Sequence, residues 1–230
     1  MRTFHLLACS ALLLIVNTAY AADNQLTDAE KAEGWQLLFN GKDYTGWKCN
    51  NGKEVASAVE DGTMVPYKSG GYVMIHEKQF GDFILKCDVK MPENCNSGIF
   101  FRIEEPANPV HTGFEVQVAT GTGTGMHDFG AVYDLAPLTK NATKGPNVWN
   151  SVEIKCQGPA ISVKVNGEPV CQIDCDDFDK PGLRPDGTKH KFQLDGKGRA
   201  VKDFARVGYL GVQDHGHPVW YKNVKILPLK

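Results

Sequence analysis

The sequence predicts an all-β fold, an antiparallel two-sheet jelly-roll sandwich, and three observations carry that prediction. From Trp35 onward, apolar and polar residues alternate in a succession of short runs with the two-residue period of half-buried strands. Turn dipeptides punctuate the runs. Helical periodicity appears once, near the start, so nothing supplies the crossover helices of a parallel sheet.

Residues 1–21 read as an export leader: Arg2 gives a positive start, 11–16 an apolar stretch, and Ala19, Tyr20 and Ala21 a small-x-small cleavage site. The apolar stretch is too short to span a bilayer. Leu6-Leu7-Ala8-Cys9 has the look of a lipoprotein box, but it precedes the main apolar run instead of following it. The expected product is residues 22–230, one domain exported to the periplasm or the extracellular space. Thr27 and Glu30 then form a capping box for a short helix that Gly34 ends. Strand runs follow at 83–89, 99–103, 114–118, 152–156, 161–165, 170–173 and 209–213. Asp61-Gly62, Ser69-Gly70-Gly71 and Asn166-Gly167 mark turns, the last joining two alternating runs as a hairpin. One stretch, 174–206, has no periodicity and many Pro, Gly, Asp and Lys residues, the composition of a functional rim or lid or of an inert insertion.

Charges are mixed and the net charge is −2, so no basic surface selects nucleic acid. No segment has the length of a membrane span. Cys49, Cys87, Cys95, Cys156, Cys171 and Cys175 follow the leader, and disulfide pairing or burial as free thiols are both compatible with them. None forms a CxxC pair, so zinc-ribbon and thioredoxin chemistry lack their motif. No feature specifies an oligomeric state. Gly121-Thr122-Gly123-Thr124-Gly125 lacks the Lys-Ser/Thr ending and following helix of a phosphate loop, and reads as a flexible loop carrying His127 and Asp128 over a cleft.

The stretch 208–227 is the most informative, because two alternating runs flank Gln213, Asp214, His215, Gly216 and His217, a polar cluster that core strands do not require. Strand parity sorts the other candidates. Glu115 and Gln117 share the face opposite Phe114, Val116 and Val118; Asn96, Phe100 and Arg102 oppose Ile99 and Phe101; Gln213 and His215 oppose Val212. Should these strands be neighbours, Asn96, Phe100, Arg102, Glu115, Gln117, Gln213 and His215 line one surface, with planar hydrogen-bonding groups beside an aromatic ring, as a sugar site requires. The same residues would otherwise be an ordinary wet face. No serine nucleophile elbow is present. Only Glu115 is well placed as a carboxylate, with Asp128, Asp134 and Asp214 as weaker partners, so two-carboxylate glycoside hydrolysis is hard to staff.

Taken together, residues 34–43 with Gly46-Trp47, 96–102, 113–117, Asn166-Gly167 and 211–216 resemble the 3-keto-disaccharide hydrolase domain family, exported bacterial proteins with a concanavalin A-like sandwich. The resemblance covers nearly all of the expected mature chain and implies a carbohydrate substrate. It implies elimination chemistry: a base removes the C2 proton next to the C3 ketone, the C1 substituent leaves, and water adds. Such a reaction needs one base, a charge at O3 and a proton donor. Those roles fall to Glu115 as base with His215 its rival, to Arg102 at the enolate side, and to His215 or His127 as donor. Asn96, Phe100, Gln117, His127, Asp128 and Gln213 would bind the sugar. No cofactor is implied; a divalent metal, held by His127, Asp128, His215 or His217, is the alternative to Arg102. Members of this family also include sugar-binding modules, so a lectin-like role on the same face is the competing expectation.

Overall fold

The computed structural model describes residues 22–191 and 198–230; the expected leader, 1–21, lies outside the described residues. Eleven strands among these residues form two antiparallel sheets. The first contains β1 (Gln36–Leu37), β11 (Trp220–Pro228), β4 (Phe83–Lys90), β7 (Asn150–Gln157), β8 (Ala160–Val165) and β9 (Glu168–Asp174), in that spatial order. The second contains β2 (Trp47–Cys49), β3 (Val73–Phe80), β10 (Gly208–Gln213), β5 (Asn96–Ile103) and β6 (Phe114–Ala119). The predicted sandwich is therefore the observed one, and the strand runs read from alternation all fall within observed strands.

Local sequence explains the element boundaries. In α1 (Asp28–Glu33), Thr27 Oγ1 accepts from the Glu30 backbone at 3.1 Å, and the Glu30 carboxylate accepts from the Thr27 N–H at 3.0 Å. Gly34 closes the helix at φ 94°, a conformation costly for any residue with a Cβ. Asn166 and Gly167, both left-handed, turn β8 into β9.

Alternation then buries one face of each sheet. Phe83, Leu85 and Val89 of β4 meet Ile99, Phe101, Phe114, Val116 and Val118 of β5 and β6 in the main core, where each such side chain contributes about 1.5–3 kcal/mol. Tyr221 crosses this core from β11 and places its hydroxyl 2.9 Å from Ser97 Oγ, which donates to the Gln213 carbonyl at 2.8 Å. The two sheets are thus tied directly beneath the polar cluster. All six described cysteines are buried, and none is in a disulfide. The irregular stretch 174–206 contains 3-10 turns at Cys175–Asp177 and Val201–Asp203 among its described residues. No described helix is long and apolar enough to cross a membrane.

Candidate active site

Strand order fulfils the condition set by the sequence: β10, β5 and β6 are neighbours, so their polar faces coincide. Against this face lies a cavity of about 270 Å³, lined by Tyr72, Asn96, Val110, His111, Glu115, Gln117, Tyr133, Lys191, Gln213 and His215. Gly98 makes room for it. A Cβ at that position would stand 2.0 Å from Glu115 Oε1, so the carboxyl group lies in the space that the missing side chain leaves. The other wall comes from α2 (Pro109–Thr112), which brings Val110 and His111 over the sheet.

Glu115 is 4% exposed, and no described residue hydrogen-bonds its carboxyl group. Burial raises its pKa from 4.5 to about 8, with the Lys191 ammonium pulling the other way. Around it the polar atoms are only partly satisfied. Gln213 Nε2 donates to Tyr72 Oη at 2.6 Å, and Gln117 Nε2 donates to Asn96 Oδ1 at 3.1 Å. The opposite ends of both amides, Gln117 Oε1 and Gln213 Oε1, are buried without a partner, as is His111 Nδ1. A buried unpaired group costs about 1–3 kcal/mol, and three of them belong to residues that line this one cavity, a wall rich in hydrogen-bonding groups of the kind a polyhydroxylated ligand requires. Two larger cavities, of about 540 and 560 Å³, include none of these atoms in their walls. Tyr72 is pushed up to about 12 by burial first and by the Glu115 charge second, so its hydroxyl stays protonated and able to donate.

Of the residues expected at the site, Asn96, Glu115, Gln117, Gln213 and His215 meet at this cavity. Arg102 does not. It adopts φ 51° beside the irregular pairing of Tyr209 and Gly211, and its guanidinium is fully buried against Asp82 at 2.9 Å and the Gly158 carbonyl at 3.0 Å. Phe100 shares the correct face but is 1% exposed, packed with Val73, Ile75 and Ile103 under Val110 and Tyr209, so no sugar ring can stack on it. His127 turns to Asp134 at 3.3 Å and stands behind Tyr133, with ring centroids 4.8 Å apart. Asp128 accepts from the Gly125 N–H at 2.6 Å and organises its own glycine loop. The remaining carboxylates are also engaged elsewhere: Asp134 with Arg184 and the Lys191 backbone, Asp214 with the Lys68 and Gly216 N–H groups. Glu115 is therefore the one carboxylate lining the cavity among the described residues. No group of three His, Cys, Asp or Glu side chains forms a metal-ligand cluster among those residues. Tyr72, His111, Tyr133 and Lys191 come from loops and α2, where no periodicity announces them.

A two-sheet sandwich whose cavity, among the described residues, holds one carboxyl, flanked by amides and phenols, defines a one-carboxylate pocket distinct from the paired-carboxylate clefts of ordinary glycosidases. The model of a family described as the 3-keto-alpha-glucoside-1,2-lyase-like domain matches residues 34–227, and the chain belongs to that family. A curated relative, the 3-keto-disaccharide hydrolase of Bacteroides thetaiotaomicron, is 24% identical over 85% of this chain and 78% of its own length. A solved structure from Parabacteroides distasonis, provisionally assigned as a glycosyl hydrolase, is 28% identical with a TM-score of 0.73, over 91% of this chain and 100% of that one. A second structure from the same organism, with the same assignment, shares the fold at 24% identity and a TM-score of 0.69, covering 85% of this chain and 99% of that one.

Proposed function

We propose that this protein, exported to the periplasm or beyond the cell, hydrolyses the glycosidic bond of 3-keto-glycosides by elimination followed by addition of water. The observation that carries the reading is the carboxyl group of Glu115, the one carboxylate on the cavity wall among the described residues: it is buried, raised to about 8, and shares the wall with amide and imidazole side chains that hold buried unpaired atoms. A conventional glycosidase needs two carboxylates across the scissile bond; proton abstraction beside a ketone needs one base. Once ionised, a desolvated carboxylate without hydrogen-bond donors is a strong base, which suits a C–H bond acidified by the C3 carbonyl.

In the sequence of steps this reading implies, the Glu115 carboxylate takes the C2 proton and the electron pair passes through C2=C3 onto O3. The enolate then re-forms the C3 carbonyl and expels the C1 oxygen as C1=C2 forms. His215, at the cavity wall with its ring 6.2 Å from that of Tyr72, supplies the leaving oxygen with a proton. Water adds at C1 and gives its proton to His215, while Glu115, its proton exchanged with solvent, protonates C2, giving net hydrolysis. Asn96, Gln117, Gln213 and Tyr72 hold the ring hydroxyls. Family membership and the names of the relatives support a carbohydrate substrate.

The test is a paired incubation of a 3-keto-glucoside and its unoxidised parent with the wild type and Glu115→Gln. Cleavage of the ketone alone, reduced on the order of a thousandfold by the substitution, is the expected result. Binding of both sugars without cleavage would replace the reading with a lectin-like one, and cleavage of the parent would require a second carboxylate.

A further inference from the structure

Removing Arg102 from the site leaves the reaction without a cation at the ketone oxygen, yet an enolate forming in a buried pocket is stabilised above all by fixed charge. Among the described residues, the cavity wall contains one cationic side chain other than histidine, Lys191. We propose that Lys191, held against Tyr133, is the group that stabilises the enolate oxygen when Glu115 takes the neighbouring proton, and that the irregular chain after β9 places this charge at the cavity. The inference rests on the elimination reading above and assigns that reaction a catalytic residue.

Four observations converge on Lys191. Lys191 is exposed, but its ammonium donates to Tyr133 Oη and stands 4.7 Å from the centroid of that ring, which holds the head group at the cavity wall. Its backbone N–H donates to Asp134 Oδ2 at 2.7 Å, and Asp134 is itself clamped by Arg184, whose guanidinium donates to Oδ1 at 2.9 Å and to the carbonyl at 2.7 Å. Arg184 and Lys191 both belong to the segment that lacks periodicity, so that segment is pinned to the sandwich at the point where it delivers the lysine. Finally, Lys191 acts on the Glu115 carboxylate through space, favouring its ionised form.

The other titratable groups lining the cavity among the described residues are Tyr72, His111, Glu115, Tyr133 and His215. An ammonium held above the ordinary lysine value by the Tyr133 hydroxyl keeps its charge through the range in which Glu115 ionises. Lys191 stays protonated throughout: it neither gives nor takes a proton, and C2 loses its proton to Glu115, where it exchanges with solvent before Glu115 protonates C2 again.

The experiment compares wild type, Lys191→Met, Lys191→Arg and Glu115→Gln on a 3-keto-glucoside. It reads kcat and KM across pH 5–10 and the rate of C2 hydrogen exchange in D₂O. Lys191→Met should lose about a hundredfold in kcat with a smaller change in KM. Its C2 exchange should slow in parallel, and the acid limb of its pH profile should move to higher pH. Lys191→Arg should recover part of the rate and the original limb. A Lys191→Met enzyme with unchanged kcat, exchange and pH limb, beside an inactive Glu115→Gln, overturns the role of Lys191 and leaves the elimination reading standing. Full activity in Glu115→Gln overturns that reading itself.

Discussion

Replacing Glu115 by Gln should alter how folding stability depends on pH as well as activity. The unfolded chain ionises this carboxyl at its ordinary 4.5, whereas the folded chain holds the proton to about 8 because the charged form is desolvated. A pKa raised by folding contributes stability that is fully present below 4.5 and is lost as pH rises through about 8. The interval from 4.5 to about 8, at about 1.4 kcal/mol for each pH unit, amounts to a loss on the order of 5 kcal/mol. The amide of the Glu115→Gln variant cannot titrate, so the variant's stability lacks this component. Urea unfolding followed by fluorescence of the four tryptophans, at pH 5, 6, 7, 8 and 9, measures both proteins. The stability difference, wild type minus variant, should fall by several kcal/mol between pH 5 and 9, most of it below pH 8. Groups common to both proteins cancel in that difference. A difference that is the same at pH 5 and pH 9 would refute the buried, proton-retaining carboxyl on which the site is built.

Two further substitutions separate structural from catalytic residues. Arg102→Met breaks a fully buried guanidinium–Asp82 pair and should cost about 3 kcal/mol, seen as a fall of about 6–12 °C in Tm, while kcat/KM is unchanged at temperatures where the variant is folded; a selective loss of kcat would return Arg102 to the chemistry. Gly98→Ala places a Cβ in the space of the Glu115 carboxyl and should displace that group, reducing kcat at least tenfold for a stability cost of about 1–3 kcal/mol; wild-type kcat/KM in the folded variant would show that Glu115 does not act from its observed position.

Strand parity made much of this site legible. Because side chains alternate along β6 and along the regular parts of β5 and β10, the positions of Asn96, Glu115, Gln117 and Gln213 follow once those strands are neighbours. The reading failed where backbone regularity fails. Arg102, at positive φ beside an irregular pairing, is turned toward Asp82, and Phe100, on the expected face, is covered by Val110 from a short helix that no pattern foretold. Tyr72, His111, Tyr133 and Lys191 reach the cavity from connecting segments, positioned by contacts such as Arg184 with Asp134 across 50 residues of sequence. Neither composition nor period encodes a contact of that kind. The capping box of α1 and the Asn166-Gly167 hairpin were legible for the opposite reason: their determinants lie within a few residues of one another.

The central claim is that the C2–H bond breaks during glycoside cleavage and that Glu115 breaks it. The direct measurement is NMR of a 3-keto-glucoside turned over in D₂O, with an enzyme-free control for spontaneous exchange. Deuterium at C2 of the released 3-keto-sugar above that control, together with an uncut parent glucoside and loss of both exchange and cleavage in Glu115→Gln, is the predicted result. Cleavage that leaves C2 wholly protonated would contradict it, because the bond would then have broken without the elimination that the Glu115 carboxyl is assigned to perform.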